Sequence, residues 1–409
     1  MQKTIALEQL RLGMFIVDIR GGWMQHPFWR SRFLLTDPLD LERLRTSAIE
    51  QLSIDTSRGC DVDGGPRPGD RIARAPVAPS QPCGHALPQG ADCVGMDEEF
   101  KKAAVLCEQS RNAVTSMFEE ARMGRALSTQ TARALVSEIS DSVARNPGAL
   151  ISLARLKTAD DYTYLHSMAV CALMVALARQ LGLDSTQVHQ AGLAGLLHDV
   201  GKMAVPPQVL NKPGRLTEAE FSIVQRHPAQ GVELLAQSRV DDAVLDVCLH
   251  HHEKMDGTGY PERLQADQIS LFARMGAVCD VYDAITSNRP YKDGWDPAES
   301  IHRMAQWAPG HFDPKVFQAF VRSIGIYPVG SLVRLASARL GVVVGQGPRS
   351  LTMPRVKVFY SIASGMRIPE RVIDLSHPGS ADKIVGREDP AVWRFPDLLA
   401  LWAPGCGPG

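Results

Sequence analysis

The residues from Ala191 to Pro261 constrain the fold more than any other stretch of the chain. They open with the apolar run AGLAGLLHDVGK, pass through Arg226-His227-Pro228 and end in CLHHHEKMDGTGYP. His198 and Asp199 therefore stand side by side at the end of an apolar segment, with Lys202 close behind. His250, His251 and His252 precede Glu253, Asp256 and Gly257. Of the chain's 12 histidines, five fall in this stretch, so they have to be explained together. Imidazole and carboxylate are ligands that borderline and hard divalent metals share. Charged groups inside apolar segments need partners or a metal. The stretch therefore asks for a scaffold that brings separate segments to one buried metal centre.

At 409 residues the chain has room for two or three domains. Its 44 basic and 45 acidic residues nearly cancel, which argues against a broad groove for a nucleic-acid polymer. A small anionic ligand held by a few local cations is not excluded. The 8 cysteines are scattered without a CxxC pair, which suits reduced thiols and a cytoplasmic location better than a disulfide frame. The N-terminal MQKTIALEQLRLGMF lacks a basic-then-apolar signal pattern, and no window reaches the ~18 apolar residues of a membrane span.

The expected fold is mainly α, a helical bundle with a small α+β unit before it and a short β-rich appendage after it. Residues 1–56 form the first unit, with strands at Thr4–Leu7, Met14–Val17 and Arg32–Leu35, a helix at Leu39–Gln51 and a further strand from Ile54. Residues 57–98 are dense in Gly, Pro and small residues and read as a mobile linker. Residues 99–328 form the helical domain. Its predicted helices include Ser128–Asn146, Ala149–Ala159, Asp161–Leu181, Ser185–Leu197, Asp241–His251, Leu271–Thr286, Pro297–Met304 and Pro314–Ile324. Thr217 and Glu220 have the spacing of a capping box for one more helix. Residues 329–409 carry short strands at Ser331–Arg334, Leu340–Val344, Pro354–Tyr360 and Arg371–Leu375, and the final WAPGCGPG reads as a disordered end.

Polar residues recur in the apolar helices about one helix and a turn apart: His166, His198-Asp199, His227, His251-His252 and Asp280. Facing helices of a bundle can converge such groups on a metal. Neighbouring helix positions point ~100° apart, so His198 and Asp199 meet one centre only at a helix end. Two metals bridged by the aspartate satisfy the pair more easily. Nitrogen and oxygen ligands without thiolate suit Fe or Mn better than structural zinc. Two such ions activate a bridging hydroxide for displacement at phosphorus. Lys202, one turn beyond His198, is placed to stabilise charge on a phosphate oxygen. The register within His250-His251-His252 stays open, because neighbours point in different directions. In DGTGYP, Gly257 and Gly259 permit positive φ or close backbone approach, and Tyr260 offers a ring and a hydroxyl.

YTYLHS, HDVGK, RHPAQG, HHEKMDGTGYP and DVYDAITSNRPYK, in this order, resemble the HD-GYP family of the HD phosphohydrolase superfamily. The resemblance spans Arg125 to Pro328 and implies a helical domain that hydrolyses the bacterial second messenger cyclic di-GMP to pGpG, and onward to GMP. It implies metal ligands at His198, Asp199, His227, His251, His252 and Asp280, with His166 also beside the metals. Asp199 and Lys202 are the expected catalytic residues. Lys202, Arg289 and Lys292 match positions near the substrate, which Tyr260 would help to orient, and Gly259, Tyr260 and Pro261 form the signature loop, also an expected surface for protein partners. Some members carry a glutamate where this chain has Tyr162 and hold three metals. Two divalent ions, Fe or Mn, are therefore expected here, and cleavage of pGpG to GMP is left open. Two other readings remain: a cyclic di-GMP-responsive interaction module, and a hydrolase of another cyclic dinucleotide. The first unit, with LRLGMFIVDIRGGWMQHPFWRSRFLL, resembles the domain of unknown function often found ahead of HD-GYP domains.

Overall fold

The computed structural model describes residues 2–6, 9–19, 33–35, 41, 51–60, 96–154, 162–212, 214–287, 294–347, 351–377, 379–380 and 382–403. Within it the chain divides into two compact units. One comprises Met1–Gly90 with Pro207–Ile223, the other Ala91–Pro206 with Val224–Gly409.

In the first unit, β1 (Gln2–Ala6), β2 (Phe15–Ile19), β3 (Phe33–Leu34) and β4 (Gln51–Asp55) form an antiparallel sheet in the order β1-β4-β2-β3. Ile5, Ile16, Leu52 and Ile54 project from these strands into one core with Leu10, Met14 and Leu35. The expected linker falls mostly outside the described residues, as does most of the helix at Leu39–Gln51.

The second unit is helical up to Ile324. Its helices begin with α1 (Met96–Arg122), α2 (Thr129–Arg145) and α3 (Pro147–Ala154). Ser128 caps α2, and Pro147 opens α3, where its missing N–H has no cost. α4 (Tyr162–Gln180) packs against α5 (Ser185–Leu197). Every residue from Met168 to Ala178 in α4 is buried, so this helix is the axis of the bundle. A 3₁₀ turn, Val200–Ala204, follows α5. α6 (Pro207–Leu210) and all of α7 (Glu218–Val224) but its last residue belong to the first unit, and the second resumes with α8 (His227–Leu235), α9 (Asp242–His250) and α10 (Leu271–Thr286). The Thr217–Glu220 capping box is formed: Thr217 N donates to Glu220 Oε2 at 2.7 Å and Glu220 N to Thr217 Oγ1 at 3.2 Å. α11 (Pro297–His311) and α12 (Pro314–Ile324) close the bundle. α11 runs about one turn beyond the expected Met304, because Trp307 continues its buried face; Pro309 and Gly310 then break the helical backbone.

A five-stranded antiparallel sheet follows, ordered β8-β7-β6-β5-β9. Its strands are β5 (Leu332–Leu335), β6 (Arg339–Gly345), β7 (Arg355–Ser361), β8 (Met366–Asp374) and β9 (Ile384–Arg387). Alternate residues feed two cores: Leu332, Leu340 and Val342 pack with Phe100 and Ala149 of the helices, while Val333, Val343 and Val356 pack on the opposite face. β9 and the short helices α13 (Pro390–Trp393) and α14 (Leu398–Trp402) were not evident in the sequence. Of the end expected to be disordered, Trp402 and Ala403 are ordered and buried, and the rest lies outside the described residues. That ring is buried edge-on to Phe100, with centroids 6.4 Å apart, because a terminal tryptophan at the rim of an incomplete core buries large apolar area.

Candidate metal centre

Four helix ends and two helix interiors supply the cluster. His198 is the C-cap of α5 and Asp199 the residue after it, at the start of the 3₁₀ turn. His227 opens α8, and His251 is the C-cap of α9. His166 lies inside α4 and Asp280 inside α10. All six are at least nine-tenths buried, and His252 lies beside them.

The terminal histidines share one device. The last carbonyls of a helix have no intrahelical donor. Nδ1 of His198 donates to Gly195 O at 2.8 Å, that of His227 to Val224 O at 2.7 Å, and that of His251 to Val247 O at 2.9 Å. A carbonyl only accepts, so each Nδ1 holds the proton and each Nε2 presents its lone pair inward. His166 has no free carbonyl at mid-helix; its Nδ1 meets Asp283 Oδ2 instead, at 2.6 Å.

The inward atoms then conflict unless a cation joins them. Nε2 of His227 lies 3.3 Å from Nε2 of His251 and 3.2 Å from Asp199 Oδ1, and that oxygen is buried with no donor. On the other side, His166 Nε2 is 3.2 Å from His198 Nε2, 3.1 Å from Asp199 Oδ2 and 3.2 Å from Asp280 Oδ1. Two ligand sets result. Asp199, His227, His251 and His252 form one, and His166, His198, Asp199 and Asp280 the other, with ligand atoms within 4.8 Å of one another in each. This cluster is compatible with a divalent metal site. Asp199 belongs to both sets, one oxygen facing each.

The mutual electrostatics of these groups make the same point. Burial would raise the Asp199 carboxyl, yet Lys202, His198 and His166 hold it far below its usual range. Asp280 is likewise held down against burial by His166 and His198. Burial would lower His166, but Asp199, Asp280 and Asp283 lift it to about 10. Burial and the charge on His198 push His251 down to about 3, which keeps its ring a neutral donor. A proton on His166 thus stands where a cation would.

Lys202 places its ammonium on Asp199 Oδ2. Tyr260 stacks on His252 with centroids 4.7 Å apart, and its hydroxyl is buried without a partner. The loop that carries it is tied to the end of α9: a Cβ at Gly259 would come within 2.5 Å of Glu253 Cα and 2.6 Å of His252 O, so only glycine fits. The open register of the histidine triplet is resolved. His251 and His252 join the cluster, whereas His250 turns to Asp246 Oδ1 at 2.8 Å and Glu262 Oε2 at 3.3 Å. Arg289 and Lys292 lie outside the described residues, and so does the side chain of Tyr162.

Three contributors escaped the sequence reading. Asp283 holds His166; its position one turn after Asp280 on α10 was the available signal. Glu253 is buried, and its carboxylate accepts from the amides of Glu262, Arg263 and Leu264 at 2.7, 2.9 and 3.1 Å, so it closes the loop after Pro261. Gly201 lets the 3₁₀ turn lie against α8, since a Cβ there would overlap His227 O.

A buried His/Asp cluster at the helix ends of a bundle defines the class of HD-domain hydrolases. The family model described as "HD domain" matches residues 138–316, and that of a "Domain of unknown function (DUF3391)" matches residues 2–132. The chain is 56% identical over 404 residues to the cyclic di-GMP phosphodiesterase PA4108 of Pseudomonas aeruginosa, covering 98% of this chain and 96% of that protein. It is 39% identical over 200 residues to the cyclic di-GMP phosphodiesterase response regulator RpfG of Xanthomonas campestris, covering 47% of this chain and 52% of that one. It is 38% identical over 158 residues to the 3'3'-cGAMP-specific phosphodiesterase 2 of Vibrio cholerae, covering 38% and 30%. The chain belongs to the HD-GYP family, with a DUF3391 domain ahead of the helical one. Among the described residues no helix is long and apolar enough to cross a membrane.

Proposed function

We propose that this protein hydrolyses cyclic di-GMP to pGpG at a centre of two divalent ions, Fe or Mn. The observation that carries the reading is Asp199, whose two oxygens face two separate ligand sets. The relative that matches nearly the whole chain bears the name of a cyclic di-GMP phosphodiesterase, which supports the substrate. Ions bound there supply an activated water and neutralise charge during in-line displacement at phosphorus. His166, His198, His227, His251, His252, Asp199 and Asp280 hold them. Lys202, whose ammonium lies beside Asp199, would stabilise charge on a phosphate oxygen. Tyr260 offers its unpartnered hydroxyl to the ligand. Arg289 and Lys292 add positive charge for the second phosphate. We place the reaction in the cytoplasm, where the free Cys60, Cys107, Cys171, Cys248 and Cys279 stay reduced.

Of the signature loop, Gly259 is buried and Tyr260 faces His252, while Pro261, Glu262 and Arg263 are exposed and offer a face to protein partners. The likeness to an enzyme named for 3'3'-cGAMP keeps that dinucleotide as a second substrate to test. Anaerobically purified protein, loaded with Fe²⁺ or Mn²⁺, should convert cyclic di-GMP to pGpG faster than it cleaves 3'3'-cGAMP. No turnover of either would sink the enzyme reading. Asp199→Ala should lose both metal and turnover while keeping its helical circular dichroism.

A further inference from the structure

We infer that the two ligand sets are unequal, that Asp283 makes them so by fixing His166, and that the set containing His166 fills first. The inference rests on the two-metal reading above. The set of His166, His198, Asp199 and Asp280 has two carboxylates, the other only the shared Asp199 with three imidazoles. Harder ions favour the oxygen-richer set.

The difference is deepened from behind. The imidazoles of His198, His227 and His251 rest on neutral backbone carbonyls, whereas His166 rests on a carboxylate. Asp283 is buried, and its other oxygen accepts from Ser287 Oγ at 3.2 Å. A carboxylate behind an imidazole fixes the tautomer and raises the basicity of the ligating nitrogen. Lys202 opposes this with one positive charge on Asp199 Oδ2, but Asp199 is common to both sets. The first ion therefore meets the extra charge of Asp280 and, through His166, of Asp283. The second ion enters against the first and gains less from either, since Asp280 reaches its set only through Oδ2, 3.8 Å from His252 Nδ1.

Asp283 is a positioning residue, and the test reads metal binding rather than turnover. Metal-stripped protein is titrated with Mn²⁺ by calorimetry, with free Mn²⁺ followed by electron paramagnetic resonance. Wild type should bind two ions in separate steps. Asp283→Asn keeps the shape but offers an amide that can donate to Nδ1 and force the proton onto Nε2. It should weaken the tighter step ~10–100-fold and spare the weaker one. His252→Ala should do the reverse, leaving one tight ion. Melting of the metal-free variants checks for damage, since a merely structural role for Asp283 would lower their melting temperature without altering the order of the steps. One ion in wild type would overturn the two-metal reading itself. Two ions with the tighter step unmoved by Asp283→Asn, or lost in His252→Ala, would overturn the inference alone.

Discussion

Gly201→Ala tests whether the distance between two backbone segments sets the metal centre. The added Cβ would overlap the carbonyl oxygen of His227 and come within 2.5 Å of Gly231 N and 2.9 Å of Gly231 Cα. All three obstacles are backbone of α8, so no side chain can swing aside. Even the tightest tolerable contact requires the 3₁₀ turn and α8 to part by ~1 Å, and ordinary contact by ~1.5 Å. That turn follows Asp199 directly and carries Lys202, and α8 begins at His227. The 3.2 Å separation of Asp199 Oδ1 and His227 Nε2 would open by a similar amount. Overpacking of this kind costs ~1–3 kcal/mol of stability. A ~1 Å error in a positioned group costs ~100-fold in function. The two costs separate experimentally: stability is read by thermal unfolding, and metal retention by elemental analysis after dialysis. Gly345→Ala is the control, since its Cβ would meet only Arg355 Cδ, at 3.9 Å. Gly201→Ala should stay folded and lose metal, and Gly345→Ala should resemble wild type. Full metal retention in Gly201→Ala would refute the argument.

His250→Gln should leave metal content unchanged while His251→Gln lowers it, because only His251 points its Nε2 at Asp199; equal losses by elemental analysis would contradict the geometry. Asp313 caps α12 and meets Arg274 Nη1 at 2.8 Å; burial would raise its carboxyl, but the Val316 amide and Arg274 outweigh that and lower it. Its stabilisation is then present above the ordinary carboxylate value and lost as pH falls through the lowered one. Asp313→Asn keeps a capping side chain but loses the charge pairing with Arg274, and should destabilise by up to ~1 kcal/mol near neutrality, with the gap to wild type closing in strong acid, as followed by chemical unfolding across pH.

The bundle was legible because its signals are local. Ser185–Leu197 and Leu271–Thr286 emerge with the expected bounds, since caps and apolar runs mark both ends. The seven histidines and aspartates of the cluster were legible because polar groups are conspicuous in apolar segments. What escaped depends on pairings distant in sequence. β9 is only four residues long and pairs with β5 some fifty residues earlier, so nothing local announces it. Trp402 finds Phe100 across three hundred residues, and composition alone made its surroundings look disordered. Within the triplet, direction rather than identity decides. His251 inherits a carbonyl one turn back on α9, and His250 meets Asp246 on the same helix, a pairing readable in retrospect as an i, i+4 contact.

The position of each ligand on its helix therefore determines how its ring is held. A histidine at a helix end finds a carbonyl three or four residues back in its own chain that can accept from its ring, so chain connectivity alone sets its tautomer. His198, His227 and His251 follow that rule. A histidine inside a helix has its neighbouring carbonyls committed to the helix ladder, and its outer nitrogen must be met from elsewhere. His166 is met by Asp283, more than a hundred residues away on α10. Three of the rings are thus oriented by carbonyls three or four residues back in the chain, but His166 is oriented only when α4 and α10 pack together. The set containing His166 draws on α4, α5 and α10, and its geometry depends on the packing of the bundle's most buried helix. The other set draws on Asp199 after α5, on α8 and on the end of α9, with two of its rings held by backbone alone. An ion in either set therefore binds segments that only packing brings together, and so stabilises the bundle by mass action over the unfolded chain.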